Sequence, residues 1–366
     1  MNSAITHIKK FDWWLILAAV GLTILGLVSI YSSSVSSKDF SGFQKQLIFF
    51  AVSLIFMVAV SFFDYRGIRE SSYFIVFVYI ACIILLLGLF IFAPSVRGVR
   101  SWYRLGPLSL DPSEFTKLIL IIILAKYFSY RHVELYKLRH IILSGVYMMI
   151  PALLIFLQPD LGSAIIFFAI WFCILLVSGI KFRHFLILLC VILILAALSW
   201  FFVLKDYQKA RITSFMLPSY EPLATGWNQK QAKIAIGNGG IFGQGFGDGS
   251  QTQYGFVPEV KADFIFSAIA EEFGFITIVI MLGLFSIVFW RLTRIAFLAR
   301  DNFSRIFCLG LGIWFLIQLI INIGSNVGFL PVIGVPLPLV SLGGSSLLAI
   351  YIGLGICQSI RKSIAS

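Results

Sequence analysis

Apolar residues run along this chain in long blocks rather than in alternation. Ten uncharged or nearly uncharged stretches, near 14–31, 46–63, 72–93, 113–128, 141–157, 161–180, 184–204, 263–290, 304–324 and 337–360, follow one another with polar connections between them. A continuous run of about 20 apolar residues has the length of a membrane-crossing helix. A membrane barrel would instead alternate with period two over about 10 residues. The pattern predicts an all-α integral membrane protein with ten transmembrane helices in a single polytopic domain, residues 1–366, with no internal repeat or low-complexity tract. Two connections are long: Ala93 to Asp111, and a large loop of about 205–262 between helices 7 and 8. In a bundle of short connections, long ones are where function concentrates. The first run follows Lys9 and Lys10 as a signal peptide's would, but no small-residue cleavage site precedes Ser32, so it reads as an uncleaved span.

Composition sharpens this picture. The chain is 60% hydrophobic and 12% charged, with a mean hydropathy of +0.98, which excludes a soluble enzyme carrying a membrane tail. The formal charge is +12, and its distribution matters more than its size. The N-terminus and the alternate connections on its side carry 16 of the 28 basic residues against five acids, leaving 12 bases and 11 acids elsewhere. Positive charge is retained on the cytoplasmic side, so both termini are expected in the cytoplasm and both long connections outside. Topology thus accounts for the basic excess, and no nucleic-acid partner is expected, because no basic stretch is long or interleaved with aromatics. Cys82, Cys173, Cys190, Cys308 and Cys357 all fall within apolar runs at no metal-like spacing.

Ionisable residues near hydrocarbon are costly and usually have a partner or a pathway. Glu114 and Lys117 lie three apart at the start of the fourth run and can pair on one helix face. Asp111, Pro112 and Glu114 also fit a helix start, with Glu114 as half of a capping box. Asp160 either caps the sixth helix or serves a site. Asp263 begins the eighth, with Glu259 and Lys261 just before it and Glu271 and Glu272 two to three turns on. It is either an N-cap or a base held at the outer surface, facing the long loop. The glycines of GNGGIFGQGFGDGSQ (237–251) match neither GxGxxG nor a Walker loop. They read as tight turns folded against the bundle, with direct contact to a pyrophosphate as the alternative.

These segments carry a resemblance over essentially the whole chain. SWYRLGPLSLDPSEFTKL (101–118), QPDLGSA (158–164), GWNQKQAKIAIGNGG through AEEFG (226–274) and LPLVSLGGSSLL (337–348) are similar to the SEDS family of shape, elongation, division and sporulation proteins, most of all to its elongation branch. The resemblance implies a peptidoglycan glycosyltransferase that polymerises lipid II at the outer face of the bacterial cytoplasmic membrane with a class B penicillin-binding transpeptidase as partner. The family's essential loop aspartate maps to Asp263, its polar helix-4 pair to Glu114 and Lys117, its QPDLG aspartate to Asp160, and its loop arginine and tryptophan to Arg100 and Trp102. Two positions depart from the family pattern: Ala262 stands where threonine is usual and Asp111 where glutamine is.

The chemistry agrees. Transfer from a lipid diphosphate donor asks for a base on the acceptor hydroxyl and positive charge on the departing diphosphate. Asp263 would be the base. Arg100, with Arg97, Lys261 or a divalent cation (Mg or Mn) held by carboxylates, would supply the charge, and Glu259 lies close by in sequence. No cofactor is required by the sequence. The alternative from another class is a flippase for the same lipid-linked precursor, suggested by the polar Glu114–Lys117 pair and the proline-interrupted segment 328–344.

Overall fold

The structure is a computed structural model that describes residues 10–94, 101–106, 108–131, 138–202, 209, 213 and 225–365. Arg97, Arg100 and most of the first half of the large loop lie outside the described residues. The elements in chain order are α1 (Trp13–Ser37), α2 (Ser41–Phe62), α3 (Tyr65–Glu70), α4 (Ser72–Phe92), β1 (Tyr103–Leu105), β2 (Leu108–Leu110), α5 (Pro112–Arg131), α6 (Leu138–Leu157) and α7 (Leu161–Val177). There follow α8 (Phe182–Phe202), α9 (Thr225–Gly239), α10 (Ser250–Gln253), α11 (Ile265–Leu298), α12 (Asn302–Val327) and α13 (Gly344–Ala365).

The chain is a helical membrane protein. Among the described residues, eight helices are long and apolar enough to cross a bilayer: α1, α2, α4, α6, α8, α11, α12 and α13. The other two sequence-predicted runs are also helical but differ in character. α7 is apolar and only 17 residues long. α5 carries Glu114, Lys117, Lys126 and Arg131 along its length. The expectation of an all-α chain needs one correction, since Tyr103–Leu105 and Leu108–Leu110 pair antiparallel as a hairpin around Gly106. A left-handed φ of 64° at Gly106 makes the tight reversal. The final run also starts later than its hydrophobicity predicts. Residues 331–343 are non-helical and α13 begins only at Gly344, because this stretch holds Pro331, Pro336 and Pro338, each lacking a backbone donor.

Packing is organised around α13, which runs along α2, and around α11, which lies against α1 and α12. Glycines allow close approach between membrane helices: a Cβ on Gly355 of α13 would stand 2.7 Å from the Met57 carbonyl of α2. Trp314, Tyr351, Phe285, Phe307 and Phe315 fill the interior. At the end of the bundle that carries both termini, Asp12 is buried and accepts from Arg291 Nε at 2.8 and 2.9 Å, while its own backbone N–H donates to Gln358 Oε1 at 2.8 Å. This ties α1, α11 and α13 together at that end.

At the other end α11 is broken. Gly274 has φ 75° and ψ −175°, a conformation almost confined to glycine. The glycine-rich loop repairs the break. Gln244 and Gly245 N–H donate to the Glu271 and Glu272 carbonyls at 2.9 and 3.0 Å, and Phe275 and Ile276 N–H donate to the Gly240 and Ile241 carbonyls at 3.0 and 3.2 Å. Four helical hydrogen-bonding groups that the kink would leave orphaned are thereby satisfied by the inserted loop. Glu271 then caps α10, accepting from Gln251 and Thr252 N–H at 2.8 and 3.0 Å, and Glu272 accepts from Ser32 Oγ of α1 at 2.8 Å. The tight-turn reading of these glycines is therefore what the loop does.

Gly274→Ala should destabilise the protein by about 2–5 kcal/mol, combining forbidden backbone and overpacking, since the added Cβ would meet Gly243 N at 2.2 Å. Gly283→Ala on the same helix, with nothing within 4 Å, should leave stability unchanged or slightly raised. Thermal unfolding of the two variants in detergent, beside the wild type, measures both.

Candidate active site

Opposite the termini lies a cavity of about 500 Å³. One wall is the α1–α2 connection and the first turns of α2, with Asp39, Ser41, Gly42, Lys45, Gln46 and Phe49. Across from it stand the hairpin and the starts of α5 and α7, with Trp102, Ser109, Asp111, Glu114, Asp160 and Ser163. The turn 261–263 and the chain around 334–346 complete the enclosure. Sequence positions separated by more than 200 residues thus meet in one place.

The turn before α11 is held by its backbone. Within it, Ala262 and Phe264 N–H donate to the Glu259 carbonyl at 3.0 and 3.3 Å, with Glu259 at φ 49°. The carbonyls of residues 261, 262 and 263 are each taken by a distant part of the chain. Leu342 N–H donates to the Lys261 carbonyl at 2.8 Å, Ser341 Oγ to that of Ala262 at 2.6 Å, and Asn322 and Asn326 Nδ2 both to that of Asp263 at 2.9 Å. Asn326 also accepts from Ser267 Oγ at 2.5 Å, locking the first turn of α11 to α12. Asp263 is half-buried and lines the cavity, and its Oδ2 lies so near Gly334 that an added Cβ there would sit 3.6 Å away. It is not an N-cap: Phe264 occupies that position and makes no side-chain cap. The capping alternative is thereby removed, and the carboxylate faces the cavity from a fixed turn.

Gln46 of α2 braces the 341–343 segment, donating to the Ser341 carbonyl and accepting from Gly343 N–H, both at 3.1 Å. Ser345 of α13 accepts from Asp111 N–H at 2.9 Å. That bond uses the donor a capping box needs, so Glu114 is not half of a box. It pairs with Lys117 instead, Nζ to Oε1 at 2.7 Å, with the lysine wholly buried and the glutamate 5% exposed. Glu114 reaches the cavity wall and Lys117 backs it from behind. Asp160 caps α7 through Ser163 N–H at 3.0 Å and also lines the cavity. Trp102, 38% exposed, also lines it. Glu259 is exposed at the start of the turn and its side chain is not part of the lining.

Electrostatics divide the cavity. Burial, followed by the charge of Glu114, pushes the Asp111 carboxyl up to about 7, against the lowering effects of its bond from Ser113 and the charge of Lys117. Burial lowers the Lys261 ammonium, opposed by Asp39; it donates to Ser34 Oγ at 3.0 Å and to the Asp39 carbonyl at 3.3 Å. Hydrogen bonds from Ser41 hold exposed Asp39 below the usual carboxylate range. Although several carboxylates share the cavity, no three His, Cys, Asp or Glu side chains among the described residues come together as a metal-binding set.

Sequence reasoning missed Gln46, Asn322, Asn326, Ser341 and Ser345, which hydrogen-bond to the backbone around the cavity. Gln46 and Asn322 are carboxamides inside apolar runs, which was the available signal.

Residues 12–365 match the family FtsW/RodA/SpoVE, described as cell cycle protein. Among curated relatives, the peptidoglycan glycosyltransferase MrdB of Escherichia coli K12 is 36% identical over 346 residues, covering 93% of this chain and 92% of the relative. The stage V sporulation protein E of Bacillus subtilis is 34% identical, covering 96% and 97%. Among solved structures, the chain is similar to one from a study of the structural coordination of polymerization and crosslinking by a peptidoglycan synthase complex, with a TM-score of 0.82, 28% identity, and 97% and 98% coverage. It is similar also to the Thermus thermophilus rod shape determining protein RodA, with a TM-score of 0.71, 27% identity, and 97% and 98% coverage.

The Asp111 carboxyl gives a pH test. Its pKa is raised on folding, so the stabilisation belongs to the protonated form, is complete below about 4, and is lost as pH rises towards about 7. Measured against Asp111→Asn, which cannot ionise, the wild type should lose thermal stability across that interval and hold a constant gap above it. A gap independent of pH would contradict the assignment.

Proposed function

The chain belongs to the FtsW/RodA/SpoVE family, the SEDS proteins, and is a peptidoglycan glycosyltransferase of the bacterial cytoplasmic membrane; from that premise we propose that Asp263 is its general base. In this reading ten helices cross the bilayer, α5 and α7 included, with both termini cytoplasmic and the cavity opening at the outer face. The substrate is lipid II, the undecaprenyl-diphosphate-linked disaccharide peptide. Asp263 accepts the proton of the lipid II 4-hydroxyl as that oxygen attacks the anomeric carbon of the growing chain. The new C–O bond forms as the bond to the diphosphate breaks, inverting the α-linked donor to a β-1,4 linkage. The diphosphate leaves with its electron pair and needs little acid assistance, so one carboxylate suffices.

Positive charge for the leaving group comes from Lys261, which lines the cavity two residues before the base, together with Arg100. Glu114, Asp160 and Trp102 line the sugar side, with Lys117 holding Glu114 in place. Among the described residues no three carboxylates come together as a metal set. A class B penicillin-binding protein is the partner that would crosslink the product, in keeping with the similarity to the peptidoglycan synthase structure.

The observation that carries this reading is the position of Asp263, half-buried in the cavity on a turn whose carbonyls are fixed by two other segments. Purified protein incubated with lipid II, with and without a divalent cation and a class B partner, should form glycan strands resolved on a gel. Asp263→Ala should form none, with wild-type thermal unfolding. Strand formation by the variant would remove the base assignment; no strands from wild type under any of these conditions would favour transport of the precursor instead.

A further inference from the structure

Among the described residues, the cations of the cavity lining are both on one side. Lys45 and Lys261 are the lysines of the lining, and they meet at the wall made by the start of α2. Positions 42, 45, 46 and 49 line the cavity at helical spacing, so one stripe of α2 faces it. On that stripe Gln46 braces the segment that holds the Asp263 turn, which fixes Lys45 relative to the base.

The two ammonium groups are differently employed. Lys261 donates to two neutral oxygens, Ser34 Oγ and the Asp39 carbonyl, which position it without cancelling its charge. Lys45, half-buried, makes no hydrogen bond or ion pair among the described residues. The Asp39 carboxylate, exposed on the same wall, accepts from Ser41 N–H at 3.0 Å and is the acidic neighbour of both lysines. The other carboxylates of the lining belong to the opposite wall and to the Asp263 turn. The positive end of the α2 dipole adds to the field on the lysine side. Two ammonium groups on one wall, with the single exposed carboxylate of Asp39 as their shared acidic neighbour, leave net positive charge there and suit an anion with more than one phosphate.

Resting on the glycosyltransferase reading, we propose that Lys45 with Lys261 forms the diphosphate-binding wall of the active site, and that Lys45 contacts the polyprenyl diphosphate directly. The cavity is then partitioned, with diphosphate against α2 and sugar against the α5 and α7 starts, and Asp263 stands between them.

The test is binding, which needs no chemical step. Full-length protein in detergent is titrated with farnesyl diphosphate, with farnesol as the uncharged control and phosphatidylglycerol as the alternative anionic headgroup. Lys45→Gln should weaken farnesyl diphosphate binding about tenfold or more, the value of a charge-assisted hydrogen bond. Lys45→Arg should stay within about threefold of wild type because the charge and donors are retained, and farnesol binding should not change. Asp263→Asn should bind farnesyl diphosphate no more weakly than wild type. Unaltered binding by Lys45→Gln, equal loss of farnesol binding, or displacement by phosphatidylglycerol as effective as by farnesyl diphosphate would each overturn the proposal. If wild type forms strands but Lys45→Gln binds normally, the wall fails and the glycosyltransferase reading stands. If binding depends on Lys45 and wild type forms no strands, the reverse holds.

Discussion

Three consecutive carbonyls, those of Lys261, Ala262 and Asp263, receive hydrogen bonds from Leu342, Ser341, and the pair Asn322 and Asn326. A non-helical turn at the end of an apolar bundle has little water to satisfy its backbone, so it persists only where other segments supply donors. The chain supplies them from α12 and from the segment before α13. That segment in turn depends on Gln46 of α2. The site is therefore a consequence of how two distant parts of the chain, one of them braced by α2, satisfy one turn, and backbone bonds fix where Asp263 stands.

The same requirement explains the break in α11. The kink at Gly274 would orphan carbonyls and amides on both sides, and residues 240–245 take their place in the helix. The loop is anchored further by Glu271 and Glu272, whose carboxylates accept from α10 and from α1. At the opposite end the buried Asp12–Arg291 pair fixes α1 to α11. One helix thus carries a rigid anchor near the termini and a spliced, loop-supported end beside the cavity, which is where the turn bearing Asp263 emerges.

Much of this was legible in the sequence. The apolar runs marked the helices because burial in hydrocarbon leaves its record in every residue of a span. Asp160 as a cap and Glu114 with Lys117 as a pair follow from spacing of three along a helix. What stayed hidden depends on long-range pairing. Nothing local distinguishes Asp263 as a non-capping residue, since its surroundings read like a helix start and only the Asn322 and Asn326 contacts show where its backbone goes. The hairpin at 103–110 is three residues a strand, too short to announce itself by alternation. The stretch 337–343 is apolar enough to pass for helix, yet Pro338 and its bonds to Lys261 and Gln46 hold it as a turn ahead of α13. Lys45 escaped notice because a lone lysine near a helix start reads as a solvated charge until the cavity is seen.

The most direct measurement of whether these backbone bonds hold the site is hydrogen exchange by mass spectrometry on detergent-solubilised wild type and on Asn322→Ala/Asn326→Ala, read alongside strand formation from lipid II. The account predicts faster exchange across 259–264 and a fall in polymerisation together, while the first turns of α5 stay as protected as in wild type. Unchanged protection at 259–264 with full polymerisation in the double variant would contradict it.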